Sequence, residues 1–178
     1  MAIGLDREEQ PIVTRPTLTD VRRPVSWAPR WRRFNVLGLT ALTAYSTAIG
    51  WQAQLVSYPL YRAVDPTSFA AYHEQYNQAI PVVVIVPGFL TFFAGAAFFW
   101  TRPADTPRPV AALVSISGVT ALLSTVLWAI PLHQRLDDDG PSAATIDGLL
   151  DANLVRTSAL SAATLALLWC QVRAARQG

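Results

Sequence analysis

Four long apolar blocks separated by short polar stretches organise this chain. They run from about Val36 to Tyr58, Ile80 to Trp100, Val110 to Ile130 and Val155 to Val172. Each is close to the ~20 residues with which a helix crosses a hydrocarbon core. Apolar residues gathered into blocks of that length are solvated by a bilayer, whereas a water-surrounded core would thin them into a 3.6-residue or 2-residue period. The pattern predicts an all-α integral membrane protein, an antiparallel four-helix bundle.

The connections between blocks carry a second pattern. Asp65-Pro66 is a cap followed by a proline at the first helical position, and Phe69, Tyr72, His73 and Tyr76 then share one helix face. Gly140-Pro141-Ser142 is a turn and a cap, after which Ile146, Leu149, Leu150 and Leu154 recur at helical spacing. These segments predict two short amphipathic helices on the outer face. Small residues recur every fourth position at Thr40, Ala44 and Ala48, at Ser117, Ala121 and Thr125, and at Ser158, Ala162 and Ala166. Such stripes let helices approach where lipid supplies no hydrophobic drive between them, so they are assigned to the bundle interior.

Composition sharpens the class. Of 178 residues, 52% are hydrophobic and only 15% charged, well under the ~25% usual in soluble domains. The chain has no lysine, and eleven of its fourteen basic residues lie in the N-terminal arm, the second connection and the tail. The first and third connections hold only Arg62, Arg135 and Arg156 beside seven carboxylates, among them Asp65, Asp137, Asp147 and Asp151. The positive-inside rule then puts both termini in the cytoplasm of a multi-pass inner-membrane protein. Residues 1–35 read as a cytoplasmic, largely irregular arginine- and proline-rich arm, and residues 36–178 as the transmembrane domain. In the arm, Trp27 to Phe34 mixes tryptophan with arginine as interfacial segments do. Arg32-Arg33 resembles an export pair, but the apolar run after it is too long for a cleaved signal. Because the arginines cluster before the first apolar block, where topology explains them better than phosphate binding does, nucleic acid is not an expected partner. The lone Cys170 reads as an inert helix residue.

A few polar residues interrupt the apolar pattern. Gln52 extends the first small-residue stripe by one turn, and an amide in hydrocarbon needs a partner, so it should point inward with Gln54 mattering less. His73 and Asn77 stack at i and i+4, and His133 follows Pro131 at the end of the third block, so both histidines arrive at one membrane face. Asn153, Arg156 and Thr157 lie at i, i+3 and i+4 as the fourth block opens. An arginine there either snorkels to the surface or turns inward to pair. Asp151 and the run Asp137 to Asp139 are candidate partners for Arg156, the run reading also as a solvated turn, and each histidine alone fits an interfacial side chain. No set of metal ligands is apparent, since a zinc site would need ligands beyond the two histidines. A bis-histidine haem would want both rings at matching depth within facing helices, and these lie at span ends.

The stretches LVSYPLYRAVDPTSFAAYHEQYN from Leu55, WAIPLHQRL from Trp128 and LLDANLVRTSALSA from Leu149 carry a shared pattern. It consists of Tyr58-Pro59, Phe69 with His73, Pro131 with His133, and Asn153 with Arg156-Thr157. In these features the chain, apart from its N-terminal arm, resembles the small bacterial four-helix membrane proteins of the anthrone oxygenase-like family. Leu154 and Ser158 stand where relatives often carry tryptophan, so an aromatic pocket wall should differ here. The resemblance implies oxidation of a polyketide anthrone-type substrate without a recognised cofactor.

The reading is an enzyme acting on a small apolar substrate, by oxidation or proton transfer, at an outer-face pocket. His73 or His133 would be the general base, with Arg156, Gln52 and Asn153 stabilising an oxyanion. Gln52, Asn77, Asn153 and Tyr58 are the expected substrate contacts, with no cofactor and no metal. The lipid bilayer is the first partner, with a homo-oligomer or larger membrane complex as further company. The competing readings are a non-catalytic accessory subunit, docking through Phe92, Phe93 and Phe99, and a haem-binding redox protein.

Overall fold

The computed structural model describes residues 28–176. Most of the expected arm falls outside that range, but its end is helical from Ala28, eight residues before the first apolar block. Among the described residues there is no strand, and four long helices follow one another. Helix α1 covers residues 28–60, α2 Pro66–Thr101, α3 Arg108–Asp139 and α4 Ala143–Ala175. Of these, α2 and α3 are long and apolar enough to cross a membrane.

The starts and stops follow local chemistry. The Asp65 carboxylate accepts from Thr67 N–H at 2.9 Å with Pro66 behind it, and Ser142 Oγ accepts from Thr145 N–H at 3.1 Å. Gly140, at φ 78°, supplies the left-handed turn between α3 and α4. Both expected amphipathic segments are helical, but neither is a separate lid. Each is the first part of a longer helix, Pro66–Ile80 running on into α2 and the segment after Ser142 running on into α4 without a break. No residue in either junction imposes a stop. Pro81 sits in a turn whose wider hydrogen-bonding pattern accommodates it.

Each helix packs against the next, and α4 closes back onto α1. The pairings are antiparallel: Thr40 meets Gln171 and Thr47 meets Thr164, while Asn35 meets Thr101 and Ser46 meets Thr91. The small-residue stripe holds in α3, where Ser117, Ala121 and Thr125 are buried. In α1 it fails, because Ala44 and Ala48 are exposed while Thr43, Gly50 and Ala53 face inward. In α4 it is displaced too, with Ser158 exposed and Thr157, Leu160 and Ala163 buried. Positions four apart drift by about 40° per step against a 3.6-residue turn, so a long stripe leaves a narrow contact face.

The interior is divided. One core gathers Tyr58, Tyr61, Phe69, Leu136 and Leu149 at the histidine end. Another gathers Leu39, Phe98, Val114 and Leu167 at the opposite end, and a small cluster of Phe92, Ala121 and Leu160 lies between. Phe92 is therefore interior, not part of an outward stripe, whereas Phe93 and Phe99 are exposed.

Three helices widen at the histidine end. In α1, α2 and α3 the segments Ala53–Ser57, Pro81–Ile85 and Thr125–Ala129 take the i to i+5 pattern, with Tyr58, Val86 and Ile130 N–H donating to the carbonyls of Ala53, Pro81 and Thr125. Each widened turn is followed two residues later by a proline: Pro59, Pro87 and Pro131. Proline lacks the N–H that would bond the carbonyl four back and its ring crowds that carbonyl, so the helix loosens there. At Val83, four residues before Pro87, the Tyr45 hydroxyl donates to the carbonyl at 2.8 Å.

Candidate functional site

The widened turns hold the helices apart around a cavity of about 150 Å³. It lies between the histidine-end core and the Phe92 cluster, and its walls are mainly apolar, with Ile49, Val84, Phe89 and Ala129 among them. The polar side chains reaching it include Gln52, Tyr58, Tyr76, Thr125, His133 and Arg156. All four helices contribute, so the cavity exists only in the assembled bundle.

His133 is the cavity-facing end of a hydrogen-bonded chain. Its Nε2 lies 3.4 Å from the Tyr58 hydroxyl and its Nδ1 3.1 Å from Nε2 of His73. Nδ1 of His73 lies 2.6 Å from Asp137 Oδ1. Asn77 Nδ2 donates to the same carboxylate at 3.2 Å. The chain thus runs from the half-exposed Asp137 side chain, through a His73 ring only 1% exposed, to the cavity wall. His73 and Asn77 are four residues apart on α2, and His133 and Asp137 four apart on α3, so each helix presents its pair on one face.

Aromatic rings fix this geometry. The rings of Phe69, His73, Tyr76 and His133 lie nearly parallel, with 5.4 Å between the His73 and His133 centroids and 13° between their planes. Tyr61 packs edge-on against Phe69, Tyr72, His73 and Tyr76. It comes from the short turn Tyr61–Ala63 and is fully buried. Burial, with Tyr76 next in effect, pushes its phenol far above the ordinary range. In the neighbouring turn, hydrogen bonds from Thr67 hold the Asp65 carboxyl below its usual value. Two imidazoles that hydrogen-bond directly to each other leave no room for a porphyrin between them, so this geometry does not fit bis-histidine haem ligation. Among the described residues no group of three or more histidine, cysteine or acidic side chains is placed to hold a metal ion.

Arg156 approaches from α4. Its guanidinium donates to Asn153 Oδ1 at 2.6 Å and to Thr125 Oγ1 at 3.2 Å, and among the described residues no carboxylate pairs with it. Asn153 is fully buried, and its amide donates to the Gly50 carbonyl at 2.9 Å and to Gln54 Oε1 at 2.8 Å. Because arginine only donates and the Gly50 carbonyl only accepts, Asn153 must turn its oxygen to Arg156. Asn153 therefore braces Arg156 without lining the cavity.

The sequence-predicted residues take different places. His133, Arg156, Tyr58 and Gln52 line the cavity, whereas His73 stands behind His133, Asn153 behind Arg156, and Asn77 at the rim on Asp137. The two glutamines exchange the roles expected of them. Gln54 bonds Asn153 in the interior, and Gln52 is exposed at the cavity mouth, where its Nε2 donates to Ser57 Oγ at 2.9 Å. The drift that takes Ala44 and Ala48 out of the interior accounts for Gln52. Asp137, Tyr61, Tyr76 and Thr125 were not among the expected site residues. The i, i+4 spacing of His133 and Asp137 was the available signal for Asp137. The chain matches no family model, no curated protein and no solved structure.

Proposed function

We propose that this protein is a four-span membrane enzyme acting on a small apolar, lipid-soluble molecule that carries a polarised oxygen. The observation that carries the reading is that His133 and Arg156, from different helices, line one mainly apolar cavity together with Tyr58 and Thr125, the partners of the His133 Nε2 and the Arg156 guanidinium. The reaction begins with transfer of a substrate proton to His133, leaving negative charge on an oxygen held by Arg156. Reprotonation at another atom gives an isomerisation. Dioxygen as the electron acceptor gives the anthrone oxygenase-like oxidation that the resemblance implies.

Membrane placement is supported by the outward faces. Only 28% of the most apolar stretch of α2 and 39% of that of α3 is buried, too little for core helices of a water-soluble domain. Val82 and Leu127, at 78% and 70% exposure, fit lipid better than water. The arginine asymmetry puts both termini in the cytoplasm of an inner membrane and the histidine end outside. A reporter after Gly178 should then be active in the cytoplasm and one between Asp137 and Gly140 outside. Opposite compartments would invert the topology.

The chemical reading is tested by mass spectrometry of small molecules extracted from nanodisc-purified protein. The intact protein should retain an apolar, oxygen-bearing compound. Arg156→Leu should lose it, and His133→Ala should retain it without converting it. An empty cavity in the intact protein, with no apolar compound binding on titration, would refute the reaction and favour an accessory subunit.

A further inference from the structure

Hydrogen positions in the chain from Asp137 to Tyr58 follow from the donors and acceptors present. An ionised carboxylate only accepts, so its 2.6 Å contact requires the hydrogen to sit on Nδ1 of His73. A neutral imidazole protonated at Nδ1 is bare at Nε2. The 3.1 Å contact between the rings must then be donated by Nδ1–H of His133. His133 is consequently bare at Nε2, the atom that meets the Tyr58 hydroxyl where both residues line the cavity.

We propose that Asp137 is the positioning residue of a two-histidine proton relay: from the rim it fixes both ring tautomers, so that the cavity meets a basic nitrogen. It is also the group through which a proton taken in the cavity leaves. This rests on reading the cavity as a reaction site. A proton arriving on Nε2 of His133 releases Nδ1–H to Nε2 of His73, whose Nδ1–H passes to the carboxylate of Asp137. Three protons each move one step, so one positive charge crosses two rings and both rings are left with hydrogen on Nε2 and none on Nδ1. Asp137, 47% exposed at its side chain, hands the proton to water. A proton returning by the same path to the ligand or its product restores both rings.

Asn77 gives the arrangement its dependence on one side chain. Its Nδ2 lies 3.2 Å from Asp137 Oδ1 and 3.4 Å from Nδ1 of His73. With Asp137 in place the amide is satisfied by the carboxylate. Without it, the amide as oriented donates to Nδ1 of His73, and that nitrogen is then bare. His73 donates through Nε2, His133 accepts at Nδ1, and the hydrogen on His133 moves to Nε2, removing the base from the cavity. The other groups around His73 are the rings of Tyr61, Phe69 and Tyr76, and His133 meets Tyr58 and Tyr76. None of these supplies a competing carboxylate.

The protein has only two histidines, so nitrogen-15 NMR of imidazole-labelled protein in nanodiscs reads both tautomers directly. In the intact protein both rings should carry hydrogen on Nδ1 and none on Nε2. Asp137→Ala should exchange the two nitrogen signals in both rings, including His133, which Asp137 does not touch. Asp138→Ala should exchange neither. Hydrogen on Nε2 of either ring in the intact protein would overturn the proposal, and so would an Asp137→Ala protein in which His133 keeps its tautomer. The tautomers of the intact protein decide the matter even if the variant does not fold. Failure of the reaction itself shows separately, as expected tautomers around a cavity that binds and converts nothing.

Discussion

The two ends of this bundle are built from the same kind of apolar helix and reach opposite results. At the end remote from the histidines, α2 and α3 touch backbone to backbone: a Cβ on Gly118 would lie 2.5 Å from the Ala96 nitrogen and 2.8 Å from the Phe92 carbonyl oxygen. Ser115 ties the same crossing, accepting from Phe99 N–H at 2.9 Å and donating to the Gly95 carbonyl at 3.1 Å. At the histidine end the widened turns before Pro59, Pro87 and Pro131 and the rings of Tyr58, Tyr61 and Tyr76 keep the helices apart. The difference lies in residue size at the contacts and in three missing N–H donors, not in overall hydrophobicity. Small residues close a bundle, and proline with aromatics leaves room in which polar groups can be kept.

The largest predicted effect breaks the open end chemically while leaving its packing. Arg156→Leu removes the cation facing the cavity and keeps most of the volume. Turnover of an oxygen-bearing substrate should fall by about 10²- to 10³-fold, as when one oxyanion donor is lost. Thermal unfolding in detergent should change little, because Asn153 keeps its bonds to Gly50 and Gln54. Equal loss of activity and of folded protein would mean that Arg156 is structural.

Gly118→Ala tests the closed end. The added methyl meets backbone, which cannot swing aside, so α2 and α3 must separate. Stability should drop by about 1–3 kcal/mol, read as a lower unfolding midpoint. The histidine tautomers of folded protein should stay as they are. Full stability in this variant would show that the tight crossing is not what closes the bundle.

Much of this contrast was legible in sequence, and what was not has physical causes. Four apolar blocks, the Asp65 and Ser142 caps and the arrival of both histidines at one end follow from local chemistry. The inward bond of Gln54 in place of Gln52 depends on helix phase, which a count of every fourth residue does not follow. Asp137 looked like one of three interchangeable turn aspartates, since only the docking of α2 against α3 singles it out for His73. Tyr61, at a span's end, becomes the aromatic hub only when Pro66–Ile80 folds back over it.

A smaller change should sharpen the account of how the open end is held. Tyr45→Phe removes the bond to the Val83 carbonyl where α1 and α2 flank the cavity. A single hydrogen bond of this kind is worth about 0.5–1.5 kcal/mol. A modest loss of stability with faster exchange of a bound apolar probe is expected. Unchanged exchange would mean that α1 and α2 do not open at this point.

The smallest effect concerns the ion pair between Arg62 and Asp147, which links the turn after α1 to α4 at the histidine end. Its position invites the view that charge clamps this end. Both side chains are about half exposed, at 45% and 62%, so water and salt screen the attraction. The Tyr61 turn is anchored instead by its buried ring among Phe69, Tyr72, His73 and Tyr76. Arg62→Ala should therefore cost less than about 1 kcal/mol and leave turnover and tautomers unchanged, with the difference from the intact protein vanishing in high salt. A loss of several kcal/mol would assign the open end to electrostatic clamping and demote the aromatic cluster. The size of this one effect separates a site framed by packing from one framed by charge.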